Sequence, residues 1–238
     1  MIIDCVADLH GYYPELEGGD LLIVAGDLTA RHAKKEFTEF GEWYHAQDYK
    51  KKILVAGNHD VLIETGDYYF NHDWMGYLCD SGTEFEFEQE IEEEHKFKGP
   101  ISYKVKRKLK IWGSPWSLWF DGINPACKAF TGSEKDLEKK YALIPDDIDI
   151  LITHSPPYGI LDGIPLEDGT LFHVGSKSLE NRVFFMTSLQ LHIFGHIHEN
   201  GGRIIERTSD CSCNHISINA SIVNENYEHV NKPIRIEI

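Results

Sequence analysis

The sequence lacks the features that would place the protein in a membrane or on a nucleic-acid polymer. Its 238 residues contain no apolar run near the roughly 18 residues that a transmembrane helix needs. Lysine and arginine total 23 against 39 acidic residues, and the formal net charge of −16 repels polyanions. The one basic run, KVKRKLK at 104–110, alternates as a strand with a solvated face would. We therefore expect no membrane partner and no long nucleic acid.

Cysteine is scarce and odd in number, which argues against a disulfide framework. The five cysteines are Cys5, Cys79, Cys127, Cys211 and Cys213. The N-terminal MIIDCVADLH has no basic segment and does not predict a secretory signal, so we expect reduced thiols and a cytoplasmic protein. Cys211 and Cys213 form a CxC, but no second cysteine pair completes the usual four ligands of a zinc site.

Familiar cofactor and hydrolase motifs are also absent. There is no GxxxxGK[ST] and no GxGxxG, which disfavours a P-loop or Rossmann protein. The HxHxDH run of the metallo-β-lactamase fold is missing as well, because GHIHEN lacks its Asp-His pair.

Short apolar runs bounded by turn residues are present instead, and they predict strands. The predicted strands are 2–7, 21–26, 52–57, 109–114, 149–153, 191–195, 215–219 and 234–238. Helical spacing predicts helices over 33–47, 134–142 and 176–187. The acidic EIEEEH at 90–95 is expected to be a solvated loop or an insertion. Together these elements predict a mixed α/β fold of two stacked mixed sheets flanked by helices, in one domain over 1–238.

Polar residues with metal-binding side chains follow five of these strands, where parallel sheets bind ligands. They are Asp8 and His10; Asp27; Asn58, His59 and Asp60; His154; and His196 and His198. Oxygen and imidazole donors in this mixture suit Mn, Fe or Zn and argue against calcium. The number of donors is enough for two divalent ions.

The motif order ADLHG, AGDLT, AGNHD, THSPP and GHIHE resembles the calcineurin-like metallophosphoesterases. Within them, LVAGNHD, IWGSPWSLWF, DILITHSPP and LHIFGHIHE look like the small branch of metallophosphoesterase-domain (MPPED) proteins. The resemblance runs from about residue 3 to the end, and it implies the four-layer sandwich of that superfamily.

The resemblance implies a role for each residue at these strand ends. One metal would be held by Asp8, His10 and His198, the other by Asn58, His154 and His196, with Asp27 bridging them. His59 would approach the substrate phosphate as a proton donor or cationic clamp, and Asp60 would orient His59 or a ligand by hydrogen bonding.

The implied activity is hydrolysis of small phosphodiesters, cyclic nucleotides among them, by in-line attack of a hydroxide that bridges the two ions. Mn²⁺ is the expected metal, with Fe, Zn, Ni and Mg as alternatives. A phosphomonoesterase or protein phosphatase using the same site, or a non-catalytic scaffold of the same fold, are the other interpretations. The protein is expected to act as a monomer or homodimer.

The sequence departs from the related branch after THSPP, at residues 159–183. By its position this segment shapes the substrate mouth. His173 and Lys177 lie in it, and both are expected to be solvated rather than to contact phosphate. The aromatic residues of SPWSLWF are expected to pack in the core, with Trp116 the exception most able to contact a substrate.

Overall fold

Two β-sheets packed face to face form the centre of the computed structural model, which describes residues 1–31, 33–69, 75–95, 99–120, 126–207 and 214–238. Within these residues the strands are Ile2–Val6 (β1), Gly19–Ala25 (β2), Tyr49–Val55 (β3), Ser81–His95 (β4), Gly99–Ser114 (β5), Ser117–Leu118 (β6), Thr131–Gly132 (β7), Ile150–Thr153 (β8), Gly163–Pro165 (β9), Leu171–His173 (β10), Leu191–Phe194 (β11), Arg203–Arg207 (β12), His215–Asn219 (β13) and Ile234–Glu237 (β14). The helices are Lys34–Ala46 (α1), Val61–Glu64 (α2), Glu134–Tyr141 (α3) and Lys177–Phe184 (α4), with a 3₁₀ turn at His198–Asn200.

The first sheet has the order β14-β1-β2-β3, and the second has the order β12-β13-β11-β8-β5-β4. Strands β1, β2 and β3 run parallel, as do β5, β8, β11 and β13, while β14, β12 and β4 are antiparallel to their neighbours. Each strand predicted from the sequence overlaps an observed one. The parallel core of each sheet ends at one edge, and the predicted site residues follow these ends.

Helix α1, the two sheets, and the pair of helices α3 and α4 form four layers, so the predicted four-layer sandwich is confirmed. Alternate residues of both sheets, such as Ile23 and Ile152, meet in the apolar core between them. On the outer face of the first sheet, Phe37, Phe40 and Tyr44 of α1 are fully buried, as their helical spacing predicts. On the outer face of the second sheet, α3 and α4 pack together over β8.

The acidic run at 90–95 is not a loop, and that expectation was wrong. It belongs to β4, which pairs with the basic run in β5 to form a long antiparallel hairpin. Glu84, Glu86, Glu88 and Glu90 lie opposite Lys110, Lys108, Lys106 and Lys104. Opposite charges on facing residues stabilise strands whose own residues have low β propensity. The strand predicted for KVKRKLK is confirmed.

Two further observations concern the cysteines and the length of the helices. Cys5, Cys79 and Cys127 are free thiols, while Cys211 and Cys213 lie outside the described residues. None of the helices in the described part of the chain is long and apolar enough to cross a membrane.

Candidate metal centre

The five strand ends bring their polar side chains together at the common edge of the two sheets. Among the described residues there are three groups of His and acidic side chains, and within each group the ligand atoms lie within 4.8 Å of one another. They are Asp8, His10 and His198; Asp27, His154 and His196; and His10, Asp27 and His59. The first two groups contain six of the seven side chains predicted as metal ligands, and the third adds His59.

In the first group the ring nitrogens of two histidines point at each other. His10 Nε2 lies 3.4 Å from His198 Nε2, and His198 Nε2 lies 3.6 Å from Asp8 Oδ1. Two ligands about 2.1 Å from one ion at a tetrahedral angle lie about 3.4 Å apart. Asp8 Oδ1 is buried and has no hydrogen-bond partner among the described residues. This spacing and this carboxylate oxygen fit a shared cation.

The amide of Asn58 lies beside the second group. Its Oδ1 lies 2.9 Å from His154 Nε2, while its Nδ2 donates to the Cys127 carbonyl at 3.2 Å. His154 Nδ1 donates to the Ala25 carbonyl at 3.0 Å, which leaves Nε2 directed at the site. Both side chains are therefore oriented by backbone carbonyls, as ligands of a metal usually are.

Asp27 belongs to the second group and also lies close to His10 of the first group. Its Oδ1 is 3.4 Å from His154 Nε2, and its Oδ2 is 3.7 Å from His10 Nε2. Each carboxylate oxygen thus faces a different group. This is the placement that a carboxylate shared by two ions requires.

The buried carboxylates of Asp8 and Asp27 keep their negative charge. Burial opposes ionisation of Asp8, but His198 beside it brings the pKa of Asp8 below its ordinary value. Burial also opposes ionisation of Asp27, yet His154 and His59 hold its pKa well below the usual range. Burial by itself would lower the pKa of His154, but Asp27 outweighs it and raises that pKa to about 9. The edge therefore concentrates negative charge that a cation would neutralise.

Two of the histidines offer free electron pairs. Burial lowers the pKa of His10 to about 4. Burial and the nearby His154 lower the pKa of His196 to about 3. Both imidazoles are neutral at pH 7, and neutral imidazole is the form that binds a metal.

The backbone at these positions adopts conformations that side chains rarely tolerate. Asp8, His10, Asp27 and His196 have φ values of 52°, 44°, 52° and 70°, in the left-handed region. Each such residue costs about 1 kcal/mol or more, and structures keep that strain mainly at functional sites. All four residues follow the ends of strands at the shared edge.

Glycines make room for this crowding. A Cβ at Gly57 would clash with Asp27 Oδ1, and one at Gly195 would clash with Asp8 Oδ2. In both cases the glycine directly precedes a predicted ligand, Asn58 or His196. The site therefore requires glycine immediately before Asn58 and before His196, because no larger residue fits there.

His59 lies beside the site, and a backbone carbonyl holds its ring as one holds the ring of His154. Its backbone N–H donates to Asp27 Oδ1 at 2.8 Å, and its ring Nδ1 lies 3.1 Å from the Ala30 carbonyl. A carbonyl only accepts, so Nδ1 carries the proton in that contact. Nε2 is then directed inward, 4.0 Å from Asp27 Oδ2, and it bears a proton only when the ring is charged.

Asp60 is fully buried beneath the site, and its carboxylate bonds to the neighbouring loops rather than to the His59 ring. It accepts hydrogen bonds from the N–H groups of Gly57, Leu28 and Thr29 and from the Thr29 hydroxyl. Burial and the charge of Asp27 raise the pKa of Asp60 to about 7. Asp60 therefore ties the loop after Asp27 to the loop that carries His59.

Tyr227 is a residue near the site that the sequence analysis missed. Its ring contacts His10, His198 and His59 at centroid distances of 4.9, 5.1 and 6.0 Å. Its own φ is 60°, in a turn where its N–H donates to the Asn224 carbonyl at 2.9 Å. No metal-ligand motif surrounds Tyr227, so only its contacts in the fold reveal it.

A cleft of 340 Å³ opens beside the second group, lined by Asn58, His196 and His198 among others. Trp119 and Phe172 contribute aromatic surface to it. The expectation for the SPWSLWF aromatics was wrong in both parts. Trp116 does not line the cleft, because its Nε1 donates to Asp80 at 2.9 Å and its ring packs on the core, whereas Trp119 and Phe120, expected in the core, do line it.

Residues 159–183 border the cleft through Ile164, Phe172 and Val174. His173 pairs with Asp162, with Nδ1 2.6 Å from Oδ1, and Lys177 lies over the Tyr158 ring. The expectation that this segment shapes the mouth agrees with its position.

The chain matches the family described as calcineurin-like phosphoesterase over residues 1–200. It is 35% identical over 246 residues to Metallophosphoesterase domain-containing protein 1 of Homo sapiens, covering 98% of this chain and 70% of that protein. A UPF0046 protein of Caenorhabditis elegans is 30% identical over 221 residues, covering 83% of this chain and 69% of that protein.

A solved structure shows the same fold. The crystal structure of TT1561 of Thermus thermophilus matches with a TM-score of 0.54 at 15% identity, covering 93% of this chain and 90% of that chain. At that identity the match supports the fold alone. The family match and the human relative go further, and the chain belongs to the calcineurin-like phosphoesterase family, in the branch of Metallophosphoesterase domain-containing protein 1.

Proposed function

We propose that the protein is a binuclear metal-dependent phosphoesterase that hydrolyses small phosphodiesters. Its family supports a phosphoester hydrolase. The observation that carries the proposal of two ions is the position of Asp27, whose two oxygens face two separate groups of ligand atoms. The proposal treats residues 1–238 as one domain, because both sheets share one apolar core.

In this proposal Asp8, His10 and His198 hold one ion, Asn58, His154 and His196 hold the other, and Asp27 is shared. Two divalent ions would neutralise the phosphoryl oxygens and lower the pKa of a water so that it attacks at neutral pH. The chain's own contribution is to fix the ligands before substrate arrives, through backbone carbonyls, strained turns and adjacent glycines. The oxygen and nitrogen donors favour Mn²⁺ as activator.

His59 acts on the substrate rather than on the ions. With Nδ1–H donated to the Ala30 carbonyl, the charged ring presents Nε2–H toward the site. In that form it donates a proton to the leaving oxygen or attracts the phosphate. Asp60 acts through the loops it joins and keeps His59 in place.

The preference for diesters rests on the charges of the cleft. A diester carries one negative charge, while a monoester carries up to two. Lys128 lines the cleft, and so do the carboxylates of Glu199 and Glu225. A second negative charge on the substrate therefore gains little there and is repelled by two acidic groups. The cleft also gives the second ester group of a diester a place to bind.

The test is a panel of substrates with metal-reconstituted protein: a cyclic nucleotide, a generic diester, a generic monoester and a short oligonucleotide. We expect turnover to need added metal, to be best with Mn²⁺, to be abolished by chelator and to be highest for a diester. Full activity of metal-stripped protein in chelator would refute the metal mechanism. A monoester preference would make the protein a phosphomonoesterase, and tight metal binding without turnover of any ester would favour a scaffold.

A further inference from the structure

The cleft is continuous with the candidate metal centre. Asn58, His196 and His198 belong to both. A phosphate held between the two ligand groups therefore has one substituent within reach of the cleft. The walls beyond these three residues come from segments 118–120, 127–131, 164–174, 197–199 and 225–227.

These walls leave large aromatic surface uncovered. Trp119 is 40% exposed and Phe172 is 55% exposed, although both are among the largest apolar side chains. Phe172 is held in the short β9–β10 hairpin, paired with Ile164 across the strands. Exposed aromatic side chains gathered at a concave surface mark a binding site more often than chance packing does.

The charges of the cleft limit what can bind there. Lys128 is the one lysine or arginine among the described lining residues, and its Nζ lies 3.8 Å from the centre of the Trp119 ring. Glu199 and Glu225 supply two negative charges. An additional anionic group would be repelled by two glutamates and attracted by only one lysine. A neutral ring can stack on aromatic surface with no such penalty.

We infer that the cleft binds the ester group that stays on the phosphate, and that this group is a flat, uncharged ring. The inference rests on the phosphodiesterase activity proposed above and adds the class of its substrate. Trp119 and Phe172 are the specificity-determining residues, because they provide the aromatic faces. Lys128 stays over the Trp119 indole and keeps that ring in place.

The test compares two substrates that share a leaving group. Phenyl 4-nitrophenyl phosphate and cyclohexyl 4-nitrophenyl phosphate both release 4-nitrophenolate and differ only in a flat or puckered second ring. The kcat/KM ratio of phenyl to cyclohexyl substrate is measured for the Mn²⁺-loaded wild type and for each variant. Dividing the two ratios cancels the intrinsic reactivity of the esters.

We expect Trp119→Ala and Phe172→Ala each to lower this ratio about five- to tenfold, as loss of one stacking partner does. Trp119→Phe should keep most of the preference, which separates loss of the ring from a general disturbance. The matched control is Phe185→Ala: Phe185 is 73% exposed and packs on Phe184, and it does not line the cleft. Its ratio should equal that of the wild type.

Three results are decisive. If both cleft variants keep the wild-type ratio and also the wild-type kcat/KM for each substrate, this inference is overturned and the proposed function is left intact. An equal loss with both substrates at a constant ratio places the leaving group in the cleft and also overturns it. Metal-loaded wild type that hydrolyses neither diester overturns the proposed function together with the inference.

Discussion

Two regions of the molecule place charged side chains in opposite ways: the edge of the two sheets, which carries the site, and the β4–β5 hairpin. At the edge, charged side chains are buried, crowded and placed by strained backbone: Asp8 and Asp27 are at most 2% exposed and both have positive φ. In the hairpin, charged side chains are exposed and paired in a regular ladder, such as Glu86 with the facing Lys108 at 3.8 Å.

The difference shows what each region contributes. In the ladder, opposite charges face each other on extended backbone and offset the low β propensity of its Glu and Lys residues. The edge violates several preferences at once, including the cost of burying like charges and of left-handed backbone. Proteins retain such costs where the arrangement performs a function. Substitutions at the edge should therefore change activity far more than those in the hairpin.

Asp27→Asn should have the largest effect. It keeps the shape of the side chain but removes the charge that both ligand groups share. Turnover should fall at least about 10⁴-fold, because losing an ion removes several kcal/mol of transition-state stabilisation. Metal content per chain, measured alongside turnover, should fall below two.

The control for Asp27→Asn is Asp168→Asn, which changes the net charge equally in the exposed turn between β9 and β10. It should retain wild-type metal content and turnover. If Asp27→Asn keeps two metals and a near-normal rate, Asp27 is not the bridging ligand.

His59→Ala should have the next largest effect, on chemistry rather than on metal content. Loss of a proton donor lowers kcat by roughly 10²–10⁴-fold. The loss should be greatest for diesters with poor leaving groups and smaller for nitrophenolate, which leaves without a proton. The measurement is kcat across a series of leaving groups, with metal content checked in each preparation.

Two outcomes would assign His59 another role. Its ring nitrogen belongs to a ligand-like group with His10 and Asp27, so a variant that loses a metal would make His59 a ligand. A uniform loss across leaving groups would make it an electrostatic clamp for the phosphate.

Gly57→Ala should have a moderate effect through crowding. The added Cβ would meet Asp27 Oδ1 and the Asp27 backbone N, so either the loop or the carboxylate must move. We expect the free energy of unfolding to fall by about 1–3 kcal/mol and turnover to fall more than about tenfold. Urea unfolding and steady-state kinetics measure the two effects.

The matched control is Gly41→Ala in α1. A Cβ there meets nothing within 4 Å, so the change should raise the free energy of unfolding by about 0.5–1 kcal/mol and leave turnover unchanged. Equal behaviour of the two alanine variants would show that Gly57 is not needed for space.

The same two regions show how far sequence predicts this protein. The strands and the residues at their ends were predictable, because apolar runs end at Asp8, Asn58 or His154 and the fold only had to bring those ends together. The backbone contacts of Asp60 were not, because hydrogen bonds to Leu28 and Thr29 have no pattern in the sequence. Tyr227 was missed for the same reason, as its contacts join distant segments.

The prediction for the hairpin failed for a different reason. The run at 90–95 was interpreted from its charge, which is typical of loops, and not from its pairing partner. Phe85, Phe87 and Gln89 already continue a period of two into the acidic residues, and the lysines that offset their charge follow in β5. A charged hairpin becomes recognisable only when the sequences of both of its strands are considered together.

The smallest effect should come from the hairpin ladder, where Glu86 lies directly opposite Lys108. Glu86→Lys alone places two lysines opposite each other, and Lys108→Glu alone places two glutamates opposite each other. Each should lower Tm by no more than about 2 °C at low salt, because exposed charge pairs contribute little. The double variant restores opposite charges and should recover most of the loss, and about 1 M salt should remove the differences. All three variants should keep wild-type kcat and metal content; a change in either would show that the hairpin contributes to the site, and the contrast between the two regions would then fail.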